Sequence, residues 1–141
     1  MRWLCLLASC ALCAADVQLD GIVTLASQHW QQNPRNPYRM QQINPGAGLT
    51  VGLVTGTMCT PIVAAVAYRD SYGKAAAMGL VGMRYRLASW CDASIGMGWA
   101  HTGTYDGPAL VPAIGFGTER CKLELSMISC YATGLSLRVR L

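Results

Sequence analysis

The residues of this chain that are best suited to chemistry are one histidine and an adjacent aspartate and serine: His29, Asp70 and Ser71. An imidazole that takes the proton of a serine hydroxyl turns that oxygen into a nucleophile for acyl transfer. No local spacing ties His29 to Ser71, so the two can act together only if the fold brings them to one place. Asp and Ser are also common turn residues, and the pair by itself is more typical of a turn than of an active site. The elements that carry these residues therefore decide between the two interpretations.

Eight segments alternate apolar residues with small or polar ones, which is the period of a β-strand. The longer connections follow the first, third and fifth segments, and tight turns follow the second and sixth. This pattern is typical of an outer-membrane barrel, so we expect an all-β fold, an eight-stranded antiparallel up-and-down transmembrane β-barrel. In such a barrel the ends of the first and third strands, which carry His29 and Asp70, lie at the same rim. The predicted strands span 17–29, 46–57, 61–70, 75–87, 93–104, 109–118, 121–130 and 134–141.

The composition predicts a single domain of β type. Of the 141 residues, 52% are hydrophobic and 13% are charged, and the 15 glycines are scattered through the apolar segments. No apolar run reaches the roughly 20 residues that a membrane-spanning helix needs. The net charge of +4 is spread along the chain without a basic and aromatic stripe. We therefore expect no nucleic-acid partner.

Residues 1–15 have the pattern of a signal peptide. Arg2 precedes a short apolar core, and Cys13-Ala14-Ala15 supplies small residues for cleavage. Residues 16–141 would then form the barrel domain. A lipoprotein with a lipidated Cys10 is the alternative. Export would permit disulfides, although the sequence specifies no pairing, among Cys59, Cys91, Cys121 and Cys130. Their spacing does not match a zinc site, and we expect no metal and no cofactor.

Charged residues in the last two strands indicate which face meets lipid. Leu123 and Leu125 alternate with Lys122 and Glu124, and the last strand has the same pattern around Arg138. A lysine or arginine facing lipid would cost about 2–4 kcal/mol at the bilayer midplane, so these charges should point inward. Inside the barrel, Glu124 can pair with Arg138. A soluble sandwich, with the charges outside, is the alternative, as is a soluble lipid-carrying barrel.

The same alternation predicts small side chains in the lumen. Eight strands enclose just enough space for ordinary side chains, so a lumen lined by Gly and Ala should leave an apolar void that fits an acyl chain. Larger neighbours or bulged strands that close this void are the alternative. The predicted lumen residues are Gly48, Thr50, Gly52, Val63, Ala65, Ala67, Gly79 or Gly82, Ser94, Gly96, Gly98, Ala100, Ala109, Ala113, Gly115 and Gly117.

Residues 64–74, AAVAYRDSYGK, resemble a segment of the outer-membrane lipid A palmitoyltransferases of the PagP type. In that family an apolar strand is followed by a basic residue, Asp-Ser, an aromatic residue and Lys. Residues 79–82, GLVG, continue the resemblance, and 44–49, NPGAGL, and 110–117, LVPAIGFG, are similar to the start of its second strand and to its sixth strand. The chain resembles a divergent, short member, because too few residues separate Ala15 from the first strand to form the family's N-terminal helix.

The resemblance implies a monomeric enzyme in the outer membrane of a Gram-negative bacterium. Such an enzyme moves a palmitoyl chain from a phospholipid donor to lipid A. The implied catalytic residues are His29, Asp70 and Ser71. A small outer-membrane barrel without enzymatic activity, with a structural or surface-interaction role, is the alternative. The acyl length and the acceptor position are not specified.

The resemblance also implies positions that bind substrate. Gly82 matches the glycine at the floor of the family's acyl pocket. Pro45 and Pro112 resemble prolines that weaken strand pairing, and a gap in the wall beside them could admit lipid sideways, because proline cannot donate a ladder hydrogen bond. Arg69 and Lys74 are the basic residues of the matching segment and could contact lipid phosphates.

Overall fold

The computed structural model describes residues 16–29, 43–103, 105–129 and 132–141. The predicted signal peptide, 1–15, lies outside the described residues. Within them no helix is long and apolar enough to cross a membrane. The strands are β1 (Asp16–His29), β2 (Ile43–Val54), β3 (Cys59–Arg69), β4 (Ala75–Ala88), β5 (Cys91–His101), β6 (Asp106–Gly117), β7 (Cys121–Ile128) and β8 (Ala132–Arg140).

Each strand pairs antiparallel with its neighbours in the sequence, and β1 also pairs with β8, so that the sheet closes on itself. The predicted all-β, eight-stranded antiparallel up-and-down barrel is therefore confirmed. We call the end with the connections after β1, β3, β5 and β7 the loop end. The opposite end, with Asp16, Leu141 and the turns after β2, β4 and β6, is the terminal end.

Strand boundaries differ from the predicted ones by up to three residues. The largest shift is in β2, which was predicted at 46–57 and spans Ile43–Val54. Gly56 has a φ of +75°, a conformation that glycine adopts without strain, and its turn ends β2 early. At the other end, β2 continues back through Pro45 because the β1–β2 register shifts there, and proline is tolerated at such irregularities.

The inner face of the barrel carries charged side chains and the outer face carries apolar ones, as the alternation in the last two strands predicted. On β7 Leu123 is 47% exposed on the outside, whereas the adjacent Lys122 is 7% exposed on the inside. The inward charges are buried among themselves, and the outer surface is largely apolar. Its exposed apolar side chains include Val17, Leu19, Val23, Leu49, Val51, Val63, Val81, Ile95, Met97, Trp99, Leu110, Phe116, Leu123 and Leu125.

The predicted orientation of β3 was wrong. Val63 is 58% exposed on the outer surface, and Ala65 and Ala67 share its face. Ala64, which is 8% exposed, lies on the inner face. Ala and Val occur on both faces of this strand, so residue size could not identify the inner one. Gly79 and Gly117, two other predicted lumen residues, are also exposed.

Candidate functional site

The β3–β4 connection is a tight hairpin loop that the carboxylate of Asp70 holds together. Oδ1 of Asp70 accepts hydrogen bonds from the backbone N–H groups of Tyr72, at 3.0 Å, and Lys74, at 2.8 Å. Its Oδ2 accepts one from the backbone N–H of Gly103, at 2.9 Å, in the neighbouring β5–β6 connection. Asp70 therefore fixes the loop that carries Ser71 and ties it to the next loop.

Ser71 lies at the loop end in a buried polar group that we call the rim cluster: Ser27, Asn44, Asp70 and Ser71. Ser71 and Asn44 are each 4% exposed. The Oγ of Ser71 lies 3.4 Å from Ser27 Oγ and accepts a hydrogen bond from Asn44 Nδ2, also at 3.4 Å. Ser27 Oγ in turn donates to Asn44 Oδ1 at 2.7 Å. Ser27 of β1 and Asn44 of β2 therefore both contact the Ser71 hydroxyl.

Sequence analysis did not identify Ser27 or Asn44. The strand β1 has a register shift between Thr24 and Ala26 against both of its neighbours. Thr24 Oγ1 donates to the backbone oxygen of Asn44, at 2.7 Å, so Thr24 and Ser27 both contact Asn44 although their numbers differ by three. This bulge changes which residues face inward, and simple alternation cannot predict it.

His29 is the last residue of β1, and its backbone pairs with Ala132 at the loop end. The structure therefore places the backbone of His29 at the same end as Asp70 and Ser71, two residues beyond Ser27. The side chain of His29 lies outside the described part of the structure. His101, in contrast, is exposed on the outer surface, where its Nδ1 lies 3.3 Å from Asp106 Oδ2.

A cavity of about 400 Å³ extends into the barrel from the rim cluster. This volume lies within the range of small-ligand sites, roughly 300–1,000 Å³. The middle of the cavity is apolar, and Ser71, Asp70 and Tyr72 lie at its loop end. Its apolar lining includes Ile22, Ile62, Ala64, Val66, Met78, Leu80, Val111 and Ile128. The predicted apolar void exists, but branched and long side chains form much of its lining.

Gly82 does not line this cavity in the described structure, although Leu80 and Arg84 on either side of it do. A Cβ at position 82 would collide with the backbone oxygen of Ile95 and lie 2.7 Å from Gly96 Cα. Gly82 therefore allows β4 and β5 to approach each other closely. The far end of the cavity is instead polar and is lined by Thr50, Arg84, Ser94, Glu124 and Ser136.

Arg84 and Glu124 also belong to a group of six charged side chains that extends toward the terminal end, which we call the ion cluster: Asp20, Arg84, Asp92, Lys122, Glu124 and Arg138. Arg138 is its centre. Its Nη2 donates to both oxygens of Asp92, at 2.6 and 2.8 Å, its Nη1 lies 3.5 Å from Asp20, and its Nε lies 3.0 Å from Glu124.

The remaining pairs of the ion cluster join Arg84 to Asp20, at 2.7 Å, and Lys122 to Asp92, at 3.0 Å. The predicted Glu124–Arg138 pair is confirmed. Three acids and three bases therefore neutralise one another and close the cavity toward the terminal end.

The ladder between β6 and β7 is interrupted near the loop end, in what we call the β6–β7 gap. The ladder between these strands begins at Ala113 and runs only to Gly117. Residues 106–112 of β6 have no ladder partner in β7. The cavity reaches both sides of this gap, at Val111 and Ile128.

Proline and side-chain hydrogen bonds satisfy the free edge of β6. Leu110 donates its N–H to Ser129 Oγ, at 3.1 Å, and its carbonyl accepts the N–H of Ser129, at 2.9 Å. Pro108 and Pro112 lie two residues before and after Leu110. Alternate residues of a strand direct their N–H groups to the same side, so any N–H at these two positions would point to the same side as that of Leu110, and proline has none. The carbonyl of Pro108 accepts the hydroxyl of Tyr105. At Leu110 this edge therefore bonds to Ser129, in the register of the β6–β7 ladder, and at Pro108 and Pro112 it offers no N–H donor.

The other predicted substrate-binding residues also lie at the loop end. Pro45 precedes Gly46, which forms the first ladder pair between β2 and β3, and it stands within the irregular stretch between β1 and β2. Arg69 and Lys74 are exposed beside the rim cluster.

Cysteines and metal ligands add no further centre to the part of the chain described here. Cys59, Cys91 and Cys121 are free thiols, and Cys130 lies outside the described residues. Within the described ranges, no group of three or more His, Cys, Asp or Glu side chains could hold a metal ion.

A comparison of the chain with models of known protein families finds no match, and a comparison with curated proteins finds no significant match. Function must therefore be argued from the geometry of the rim cluster, the cavity and the β6–β7 gap.

Proposed function

We propose that this protein is an outer-membrane acyltransferase that moves a fatty acyl chain from a phospholipid to lipid A. One observation carries the proposal: the buried hydroxyl of Ser71 lies at the end of an apolar cavity whose wall has an interrupted strand ladder at the β6–β7 gap. An acyl chain that lies in this cavity would place its ester at Ser71. The resemblance of residues 64–74 to the lipid A palmitoyltransferases supports the same reaction.

In the proposed reaction His29 takes the proton of Ser71 as the oxygen attacks the donor ester. His29 is proposed for this role because it lies two residues beyond Ser27, and alternate residues of a strand share a face. The ester bond breaks, and the leaving glycerol oxygen takes the proton from the imidazolium. A hydroxyl of lipid A then gives its proton to His29 and attacks the acyl-serine. The bond between the acyl group and Ser71 breaks, and the serine oxygen takes the proton back from the imidazolium.

Asp70 has a positioning role in this proposal. Its two carboxylate oxygens accept three backbone N–H groups, from Tyr72, Lys74 and Gly103. These bonds fix the turn that presents Ser71. Asn44, which contacts Ser71 and donates to the backbone oxygen of Arg69 at 3.0 Å, would orient the serine from the other side.

The location that we propose, the outer membrane, is supported by the difference in polarity between the outer and inner faces of the barrel. An apolar outer surface around a charged interior suits a barrel that crosses a bilayer, and a water-soluble barrel would have the opposite distribution. In this orientation the loop end faces outward, where Arg69 and Lys74 can contact the phosphates of lipid A. The β6–β7 gap then lies at the level of the outer leaflet, where lipid could pass sideways into the cavity.

Filling the cavity should stop transfer without unfolding the barrel. Ala64 lines the cavity and Ala65 points outward on the same strand, so Ala64→Phe and Ala65→Phe form a matched pair. We expect Ala64→Phe to lower the transfer rate of the purified protein at least about 10-fold, because the ring occupies the space of several methylenes. Ala65→Phe should keep the rate of the wild type. Equal rates in the two variants would contradict an acyl chain in this cavity.

Closing the β6–β7 gap should slow transfer. The variant Pro112→Ala restores a backbone N–H donor that faces β7, so the ladder can extend toward Met127. We expect slower hydrogen exchange at the β7 amides and a transfer rate that falls by about 5- to 10-fold, with Pro61→Ala on β3 as the control. A longer ladder with an unchanged rate would show that lipid does not pass through this gap.

The function itself is tested by mass spectrometry of lipid A from Gram-negative cells that express the protein. The proposal predicts a species heavier by one acyl chain, which cells without the protein lack. The second candidate is a barrel without enzymatic activity. It is favoured by the hydrogen bonds of Asp70, because both carboxylate oxygens accept backbone N–H groups, which is the role of a turn residue. Unchanged lipid A, with the protein inserted in the outer membrane, would select this second candidate.

A further inference from the structure

The basic side chains of the described structure are concentrated at the terminal end. All the arginines and lysines of the described ranges except Arg69 and Lys74 line one pocket of about 50 Å³ there. A volume of roughly 10–15 Å³ on this measure already holds one water, so the pocket can take a small ion. Its lining includes Arg84, Arg86, Arg120, Lys122, Arg138 and Arg140.

Three of these six cations pair with acids at 3.5 Å or less. Arg84, Lys122 and Arg138 use the three acids of the ion cluster. Arg86 and Arg120 form no ion pair within the described residues. Arg140 lies 3.9 Å from Asp20, which already binds two other arginines, and its side chain is 41% exposed. Among the described residues, Glu119 is the only further acid that lines the pocket, and Asp16, exposed at the same end, does not line it. Three arginines at this mouth therefore outnumber the acids beside them.

We propose that Arg86, Arg120 and Arg140 form a binding site for a phosphate group. Guanidinium groups bind phosphate oxygens through two parallel hydrogen bonds, and they release water more readily than an ammonium group does. The neutral ion cluster behind them supplies a dry wall, which strengthens attraction to an anion. The phosphate could belong to free inorganic phosphate or to an anionic phospholipid headgroup. This site lies at the opposite end from the rim cluster and does not depend on acyl transfer.

The test is a calorimetric titration of the full-length protein with inorganic phosphate, in nonionic detergent at low ionic strength. We expect saturable binding, and an affinity that falls by about 10-fold or more in Arg120→Gln and in Arg86→Gln. Arg120→Lys should keep part of the affinity, because it retains the charge. Glu119→Gln should bind phosphate more tightly than the wild type, because it removes a competing acid.

A second arm distinguishes the two sources of phosphate. The thermal midpoint is compared in nanodiscs of phosphatidylcholine with and without phosphatidylglycerol. A rise with phosphatidylglycerol that Arg120→Gln removes would assign the site to a lipid headgroup, and saturation by inorganic phosphate alone would assign it to the free ion. The proposal is overturned if neither ligand has an effect, or if the effects are the same in Arg120→Gln and the wild type. These readouts do not involve transferase activity, so they stand or fall separately from the proposed function.

Discussion

Ser71→Ala is expected to abolish acyl transfer while leaving the barrel folded. Loss of a catalytic nucleophile lowers turnover on the order of 10⁴-fold or more, because the remaining groups cannot form the acyl intermediate. The contacts of its hydroxyl to Ser27 and Asn44 are long, 3.4 Å each, so their removal should cost little stability. The measurement is the transfer rate of the purified protein in micelles of phospholipid and lipid A, with folding checked by circular dichroism.

Ser27→Ala is the matched control for this prediction. Its hydroxyl lies 3.4 Å from that of Ser71, and it donates to Asn44 at 2.7 Å. We expect this variant to lose about 10-fold or less, because it disturbs only the orientation of Ser71 through Asn44. A folded Ser71→Ala protein with the rate of the wild type would contradict the assignment. A loss confined to Ser27→Ala would transfer the role of nucleophile to Ser27.

Arg138→Met is expected to lower the free energy of unfolding by about 3–5 kcal/mol, since removal of one partner leaves buried charges without compensation. Arg138 contacts three acids, Asp20, Asp92 and Glu124, and its side chain is 6% exposed. Methionine keeps most of the side-chain volume, so the loss reports on charge and hydrogen bonding. The measurement is urea unfolding of the protein in lipid vesicles.

Arg140→Met provides the control on the same strand. Its guanidinium is 3.9 Å from Asp20 and partly exposed, and pairs of this kind contribute about 1 kcal/mol or less. Equal destabilisation by the two variants would show that burial in the ion cluster does not govern stability. A stable Arg138→Met protein would also contradict the view that the cluster closes the floor of the cavity.

The sequence was sufficient to predict the barrel and the orientation of its charged strands. The alternation of apolar and polar residues predicted the number of strands. The cost of exposing charge to lipid predicted the inner faces of β7 and β8 correctly. It also predicted the ion pair between Glu124 and Arg138. The connections placed His29, Asp70 and Ser71 at one end, because the first and third strands of an up-and-down barrel end at the same rim. The proximity of Asp70 and Ser71 to each other follows from the sequence alone, since they are adjacent residues of one tight hairpin loop.

Three features could not be predicted, for different physical reasons. No charged residue between 61 and 67 marks an inner face on β3, so Val63 was placed inside and Ala64 outside. The bulge in β1 changes which residues face inward after Thr24, and this hid Ser27. Gly82 was predicted to lie at the floor of the cavity from its size and the resemblance. Its close contact with the backbone of β5 depends on the distance between the two strands, which the sequence does not specify.

The central claim is that an acyl chain lies inside the barrel with its ester at Ser71. The most direct measurement uses a phospholipid that carries a photoreactive diazirine near the end of its acyl chain. After irradiation of Ser71→Ala protein in vesicles, mass spectrometry locates the labelled residues. The account predicts labels on cavity residues such as Met78, Leu80 and Val111, and loss of these labels in the Ala64→Phe background. Labels confined to outward residues such as Leu49, Val81 and Leu123 would contradict it.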